Sequence, residues 1–345
     1  MTQSATEAQP KAKKNKLSSG FFRFVLTRFL LIIPTVFILV TIVFFVMRAT
    51  GDPISAALGG RLTPEELQKR IHAAGYDRPL IVQYIDYLGG LLHGDLGVSA
   101  ISGKSVALQV GVRSAVTFPL IVLSLAIALL IGLPLGCAAV ITRNRRWRGL
   151  LHVIAIIGGA VPALWSGLLL ILLFSRGSGL LGLFPSQGFP NDGWASPRRA
   201  LASLVLPALA TGITAGAGIM RYTRAALGDA AQSQAESMAM ACGMTRKQAL
   251  LRVGLRLSLP QLVSVIGLTF AQMVTGVMVI ENLFALPGLG AMLVTDVGNR
   301  DLIAVQSELF LLTAFFLLLG LAGDMAHHAL DPRLKNASTD LQEVL

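Results

Sequence analysis

Six long apolar runs divide the chain, at residues 29–47, 115–141, 151–174, 201–220, 261–280 and 305–326. Each has at least about 19 residues, near the length a helix needs to cross the hydrocarbon core of a bilayer. The pattern predicts an all-α membrane protein with about six transmembrane helices. The first run is too long for the apolar core of a signal peptide, and no small-residue cleavage site follows it. It therefore reads as an uncleaved first span.

The polar segments between the runs orient them. Lys11, Lys13, Lys14, Lys16, Arg23 and Arg28 precede the first run, against Glu7 alone. Arg143, Arg145, Arg146 and Arg148 fill the short loop after the second. Arg221, Arg224, Arg246, Lys247, Arg252 and Arg256 follow the fourth, against Asp229 and Glu236. These segments alternate, so they share one side, and their excess of Lys and Arg predicts the cytoplasm, with both termini there. The loop at 48–114 mixes both signs, as expected of the outer side. The chain divides accordingly into a disordered basic tail (1–22), a transmembrane domain (23–326) and a C-terminal tail (327–345). Within the domain lie an outer loop (48–114) and a cytoplasmic loop (221–260).

Several turns announce local structure. In the outer loop Thr63-Pro64-Glu65-Glu66 opens a helix, with Thr63 as N-cap, Pro64 in first position and Glu66 closing a capping box, and Gly75 suits its end. After Pro79, apolar residues at Leu80, Ile81, Tyr84, Ile85, Leu88, Leu91 and Leu92 have helical spacing. That helix either lies at the membrane interface or packs on its own domain. In the cytoplasmic loop the chain reads as a small-residue helix, a break at Gly243, and a basic helix begun by the Thr245/Gln248 capping box and interrupted by Pro260. After the fifth run, Glu281-Asn282 leads to Pro287-Gly288-Leu289-Gly290. This is either a plain turn at the membrane surface or a loop lining the outer mouth of a path, with Glu281 facing it.

Composition narrows the classes. The 345 residues are 54% hydrophobic and 14% charged, with mean hydropathy +0.68, which few soluble domains match. The net charge of +11 could suit nucleic acid. The basic residues, however, flank apolar runs, which is how spans are oriented, and nucleic acid is not an expected partner. Cys137 and Cys242 have no Cys or His at metal-ligand spacing and read as free thiols on the reducing side. Ser102-Gly103-Lys104-Ser105 resembles the end of a phosphate-binding loop, but the required first glycine is Val98, so an ordinary turn is expected. Gly132/Gly136 and Gly212/Gly216 permit close helix approach. No acid, base or His lies mid-span. This argues against the alternative of an ATP-independent secondary transporter or channel, whose proton relays and ion pathways need such groups. Energy for transport would then enter through the cytoplasmic loop.

Taken together and in order, several motifs resemble one family. They are Arg28 through Pro34 leading to Gly51-Asp52-Pro53, then Arg78-Pro79-Leu80, Gln83-Tyr84 and Gly94-Asp95-Leu96-Gly97 in the outer loop. Met220-Arg221-Tyr222-Thr223-Arg224, Glu281-Asn282-Leu283-Phe284, Pro287 to Gly290, and Leu330-Asp331-Pro332-Arg333 follow. The chain is similar to the first permease subunit of ABC importers of the dipeptide/oligopeptide/nickel class. The resemblance implies a type I importer permease fold in a bacterial inner membrane, with a structured periplasmic loop and a cytoplasmic coupling helix. It implies a non-enzymatic subunit without its own cofactor, since ATP and Mg would be held by partner ATPases. The implied partners are a second homologous permease subunit, two ATPase subunits, an extracytoplasmic substrate-binding protein and membrane lipid. The implied cargo is a di- or oligopeptide, with nickel or another small solute as the alternative. By position the coupling residues are Glu236, Ala239, Ala241, Gly243, Met244, Thr245, Arg246 and Lys247. The acid and first alanine of the general pattern are Ser237 and Met238 here. Glu281, Asn282, Pro287 and Gly288 are the residues expected at the outer mouth.

Overall fold

A computed structural model of the protein describes residues 14–177 and 179–330, and among these every regular element is a helix. In chain order they are α1 (Lys14–Ala49), α2 (Pro53–Leu58), α3 (Pro64–Ala73), α4 (Leu80–Leu92), α5 (Val106–Ile141), α6 (Arg145–Ala160), α7 (Ala163–Phe174), α8 (Pro197–Ala230), α9 (Gln234–Ala241), α10 (Arg246–Ala249), α11 (Leu255–Leu283), α12 (Leu289–Gly298) and α13 (Leu302–Leu330). Asp331, Pro332 and Arg333 of the family-like ending lie outside the described residues. So do residues 1–13 of the basic tail and 331–345 of the C-terminal one. Helix α1 begins at Lys14, inside the segment read as a tail.

Among the described residues, five helical segments are long and apolar enough to cross a membrane, and α6 with α7 makes a sixth if the bent pair is one span. That pair corrects the third apolar run, which is not one straight helix. Its halves meet at 103° around Val161 and Pro162. Pro162 has no N–H to donate, and its ring pushes Val161 into an extended conformation, ψ 121°, so the helix cannot continue. Pro260 does not interrupt its helix as expected; α11 runs through it. The irregularity falls earlier, in a π-helical turn at Leu250–Gly254 that joins α10 to α11.

Helix α5 packs along α8 with both running the same way. Ser124 bonds Thr211 at 2.5 Å, a Cβ on Gly132 would lie 2.7 Å from the Gly216 carbonyl, and one on Gly136 would lie 2.5 Å from Thr223. The two small-residue motifs thus face each other, and any larger side chain would part the backbones. Parallel packing requires the intervening α6–α7 segment to return across the bundle, so the bent pair crosses as one span. Helix α11 is antiparallel to α8, tied by the Ser258 hydroxyl, which donates to the carbonyls of Ala226 (3.0 Å) and Gly254 (2.9 Å). The main core lies where α5, α8 and α11 meet, around Leu120, Ile121, Leu204, Leu206, Val277, Ile280 and Phe284. Helices α1 and α13 pair beside it, with Arg28 reaching Asp324 at 3.5 Å. The ends of α5, α8 and α13 and the beginnings of α1 and α11 therefore share one side, the basic side.

The opposite side carries α2, α3, α4 and α12. Thr63 and Glu66 form the expected capping box, and Gly75 ends α3 with φ +74°. Ser102–Ser105 lies in a tight reversal, with Gly103 N–H donating to the Ser99 carbonyl and Ser99 N–H to the Lys104 carbonyl, both at 3.0 Å. Asp301 pins this layer to α13: its Oδ2 accepts from Ser99 Oγ (2.6 Å) and Ile101 N (3.2 Å), and its Oδ1 accepts from Ala304 N (3.3 Å). In α4, Gln83, Tyr84 and Tyr87 turn toward α1, so this face packs on the chain's own domain, while Leu80, Ile81, Ile85 and Leu92 are exposed.

Candidate functional site

On the basic side, α8 reverses into α9 and then into α10 within a few residues. Ser233 caps α9, its Oγ accepting from Glu236 N at 3.3 Å. The helix ends in a Schellman turn: Gly243 N–H donates to the Met240 carbonyl (3.0 Å) and Met244 N–H to the Ala239 carbonyl (3.2 Å). Gly243 stands at φ +91° with open space where a Cβ would lie, so backbone conformation alone asks for glycine there. Thr245 begins the next helix at once, its Oγ1 accepting from Gln248 N (3.3 Å) while Gln248 Oε1 accepts from Thr245 N (3.0 Å). Ala249 and Leu250 are buried, with Leu250, Leu227 and Ala230 close around Gly254. The turn is therefore joined firmly to the end of α8 and the beginning of α11.

The side chains of this unit divide. Ala241, Gly243, Thr245, Arg246 and Lys247 are exposed, Ala239 and Met244 are half-buried, and Glu236 is 2% exposed. Met238 and Met240 are exposed at 72% and 39%. A short helix that turns two methionines and an alanine to solvent, bordered by Arg246 and Lys247, offers a deformable apolar face with a basic edge. Glu236 does not join that face. Ser233-x-x-Glu236 has the spacing of a capping box, yet only the serine half forms, and Glu236 Oε1 is buried with no hydrogen-bond partner among the described residues. The π-helical turn, which no sequence signal announced, sits where this unit enters α11, a place where such irregularities often mark function.

The second candidate lies across the bundle. Glu281 is fully buried at the end of α11. Its Oε1 accepts from Thr117 Oγ1 at 2.5 Å, and its Oε2 accepts from Gly290 N (2.8 Å) and Ala291 N (3.2 Å). Thr117 Oγ1 also accepts from Leu289 N at 2.9 Å. The carboxylate thus satisfies the free N–H groups at the start of α12, where the helix dipole also favours negative charge. Within the chain Glu281 faces these donors, and the turn between α11 and α12 is packed around its carboxyl group. Gly288 is buried, and a Cβ on it would lie 2.1 Å from the Glu281 carboxyl. Asn282 and Pro287 are exposed at the rim. Thr117, the third member of this lock, carried no signal in sequence; it lies 164 residues from Glu281.

Comparison with known proteins places this geometry. Residues 128–336 match the family model described as binding-protein-dependent transport system inner membrane component, and residues 21–126 match the model of its N-terminal part. The glutathione transport system permease protein GsiC of Escherichia coli is 33% identical over 313 residues, covering 90% of this chain and 98% of the relative. That of Pectobacterium atrosepticum is 33% identical over 309 residues, covering 89% and 97%. Among solved structures, a chain of the MetNI methionine ABC transporter in an inward-facing form superposes with TM-score 0.51 at 21% identity, covering 62% of this chain and 93% of that one. At that identity the likeness bears on fold alone, which is that of a type I importer permease.

Proposed function

Since the chain belongs to the binding-protein-dependent transport system inner membrane components, as a transmembrane permease subunit of an ABC importer, we propose that its α9–α10 unit is the docking site for an ATPase subunit and that its cargo is a short peptide. Permeases of this family work with ATPase and substrate-binding partners. Here the set is read as one homologous second permease subunit, two ATPases that hold ATP and Mg, and one extracytoplasmic binding protein. The permease itself does no chemistry. The basic side is taken as cytoplasmic, with both termini there, because Lys and Arg crowd the span ends on that side.

The observation that carries the reading is the solvent-facing helix closed by the Gly243 turn and joined to α8 and α11. A helix laid in a groove on a partner transmits a pull only if its own base does not yield. Leu250, Gly254 and the Ser258 hydrogen bonds supply that base. Moving a two-state gate from 1:99 to 99:1 takes about 5.5 kcal/mol of differential binding. Exposed Met238, Met240 and Ala241, with Arg246 and Lys247 at the edge, are the contact residues; Gly243, Met244 and Thr245 set the turn. Glu236 and Ala239 act from the inner face. Asn282 and Pro287 remain candidates for the outer mouth, while Glu281 and Gly288 hold its turn in shape. Peptide cargo is supported by the permeases to which the chain is similar, whose names give glutathione, a tripeptide.

Uptake by cells carrying Gly243→Pro or Ala239→Trp tests the docking assignment. Both variants are expected to insert normally in the membrane, to lose co-purifying ATPase and to abolish uptake. Normal transport by both sinks it. Competition of uptake by di- and tripeptides tests the cargo separately, with nickel and unrelated small solutes as the opposing arm.

A further inference from the structure

On the side opposite α9, helix α4 packs on the far end of α1, and only one of its faces is used there. Near the end of α1, Arg48 Nε donates to Gln83 Oε1 at 3.1 Å. The Tyr84 hydroxyl bonds Thr41 Oγ1 at 2.6 Å, and its ring centroid lies 5.5 Å from that of Phe45. Thr41 is two turns deeper in the span than Arg48, about 10 Å along the helix axis. These contacts fix how α4 is rolled. Going round it from Gln83 through Tyr87 to Tyr84 is going from the end of α1 toward the middle of the membrane. Continuing in that sense, at about 100° per residue, the next positions are Leu88, Ile81, Leu92 and Ile85. They make one apolar stripe, in which Leu88 is half-buried while Ile81, Ile85 and Leu92 are 60%, 62% and 88% exposed. In the opposite sense, beyond Gln83, comes Asp86, exposed and paired with Arg78 at 3.5 Å. The charged side of α4 thus turns away from the membrane and the apolar stripe turns into it.

The stripe is continuous with the surface of a spanning helix. Residues 23–49 of α1 are long and apolar enough to cross a membrane, and Ile42, Phe45 and Val46 in its last turns are exposed. Phe45 meets Tyr84, so the exposed face of α1 runs on into the stripe. At 13 residues, α4 is about 20 Å long and too short to cross a bilayer. Exposed Arg78 before it and exposed His93 and Asp95 after it keep both of its ends at the water. A short helix with charged ends, a charged side and an apolar side suits the plane of the interface. We propose that α4 lies flat in the membrane surface on the side opposite α9, with Ile81, Ile85, Leu88 and Leu92 sunk among the acyl chains of that leaflet. The occupant of the stripe is the lipid surface itself, held by apolar contact and without choice of headgroup. This reading is independent of the docking assigned to α9 and α10.

The test uses the full chain in its purified transporter complex, in nanodiscs of mixed phosphatidylethanolamine and phosphatidylglycerol. With the free thiols Cys137 and Cys242 replaced by alanine, one nitroxide label is attached in turn through Ile81→Cys, Ile85→Cys and Asp86→Cys. Its collisions with oxygen, which concentrates among acyl chains, are compared with its collisions with a water-soluble nickel chelate. Burial in lipid predicts that the labels at Ile81 and Ile85 meet oxygen severalfold more than the chelate, and that the label at Asp86 reverses the ratio. A reversal across one residue cannot come from an unfolded segment, and two stripe positions keep the test decisive should one label disturb the packing. Labels at Ile81 and Ile85 shielded from both probes would mean that another subunit covers the stripe. Labels open to the chelate until the extracytoplasmic binding protein is added would make the stripe that protein's seat. Labels open to the chelate throughout would leave it to water. Each of these three results overturns the proposal.

Discussion

The turn at Gly243 and the turn at Gly288 are punctuated alike in sequence, and opposite physics holds them. At Gly243 everything is local: a Schellman pair, a capping box from Thr245 to Gln248, φ +91°, and no atom of the described residues within 4 Å of a would-be Cβ. At Gly288 everything is long-range. Its φ of −98° is open to any residue, yet a Cβ would lie 2.1 Å from the Glu281 carboxyl, and one on Gly290 would lie 2.4 Å from Met278 Cα. One glycine is there for its backbone freedom, the other for its size. The difference matches the use proposed for each: the first turn is solvent-facing and offers side chains to a partner, and the second is sealed and fixes α12 against α5.

The comparison can be broken at three points. The largest effect is expected from Gly288→Ala or Gly290→Ala. Forcing a methyl into that space should cost on the order of 1–3 kcal/mol or more, read as a clear fall in the thermal midpoint of the purified complex. A midpoint equal to wild type for both would mean the turn is not crowded. Gly243→Ala should cost about 1–2 kcal/mol from left-handed strain. Because the turn is an exposed local unit, the loss should be seen chiefly in ATPase capture, with Gly243→Asn milder. If alanine there lowers the midpoint as far as at Gly288, the turn is not locally held. The smallest effect on stability belongs to Met238→Ser, since Met238 is 72% exposed. Its midpoint should match wild type while ATPase capture drops severalfold, and unchanged capture removes Met238 from the docking face.

What could be read in sequence follows the same division. The capping boxes at Thr63 and Thr245 and the breaks at Gly75 and Gly243 depend on residues a few positions apart, and all four are present. The apolar runs likewise announced their helices, though α8 and α11 extend well past them, because a helix continues into water wherever another helix covers it. The kink at Pro162 was available from the proline but hidden inside a continuous apolar run. Thr117, Asp301 and Ser258 carried no signal at all. Each acts on a partner that only packing brings near: Glu281, Ser99 and Ala226 respectively.

By itself, the sequence determined that this is an all-α membrane protein with a basic side, a glycine-broken polar loop on that side and a permease's order of motifs. Those properties rest on hydropathy, charge and turn chemistry, which act over a few residues or over whole segments. Tertiary structure alone decided that Glu281 is a buried cap, that the two glycine motifs of α5 and α8 face each other, and that Asp301 pins the outer layer to α13. Each of those depends on which atoms distant parts of the chain bring within a few ångströms, and neither periodicity nor composition encodes that distance.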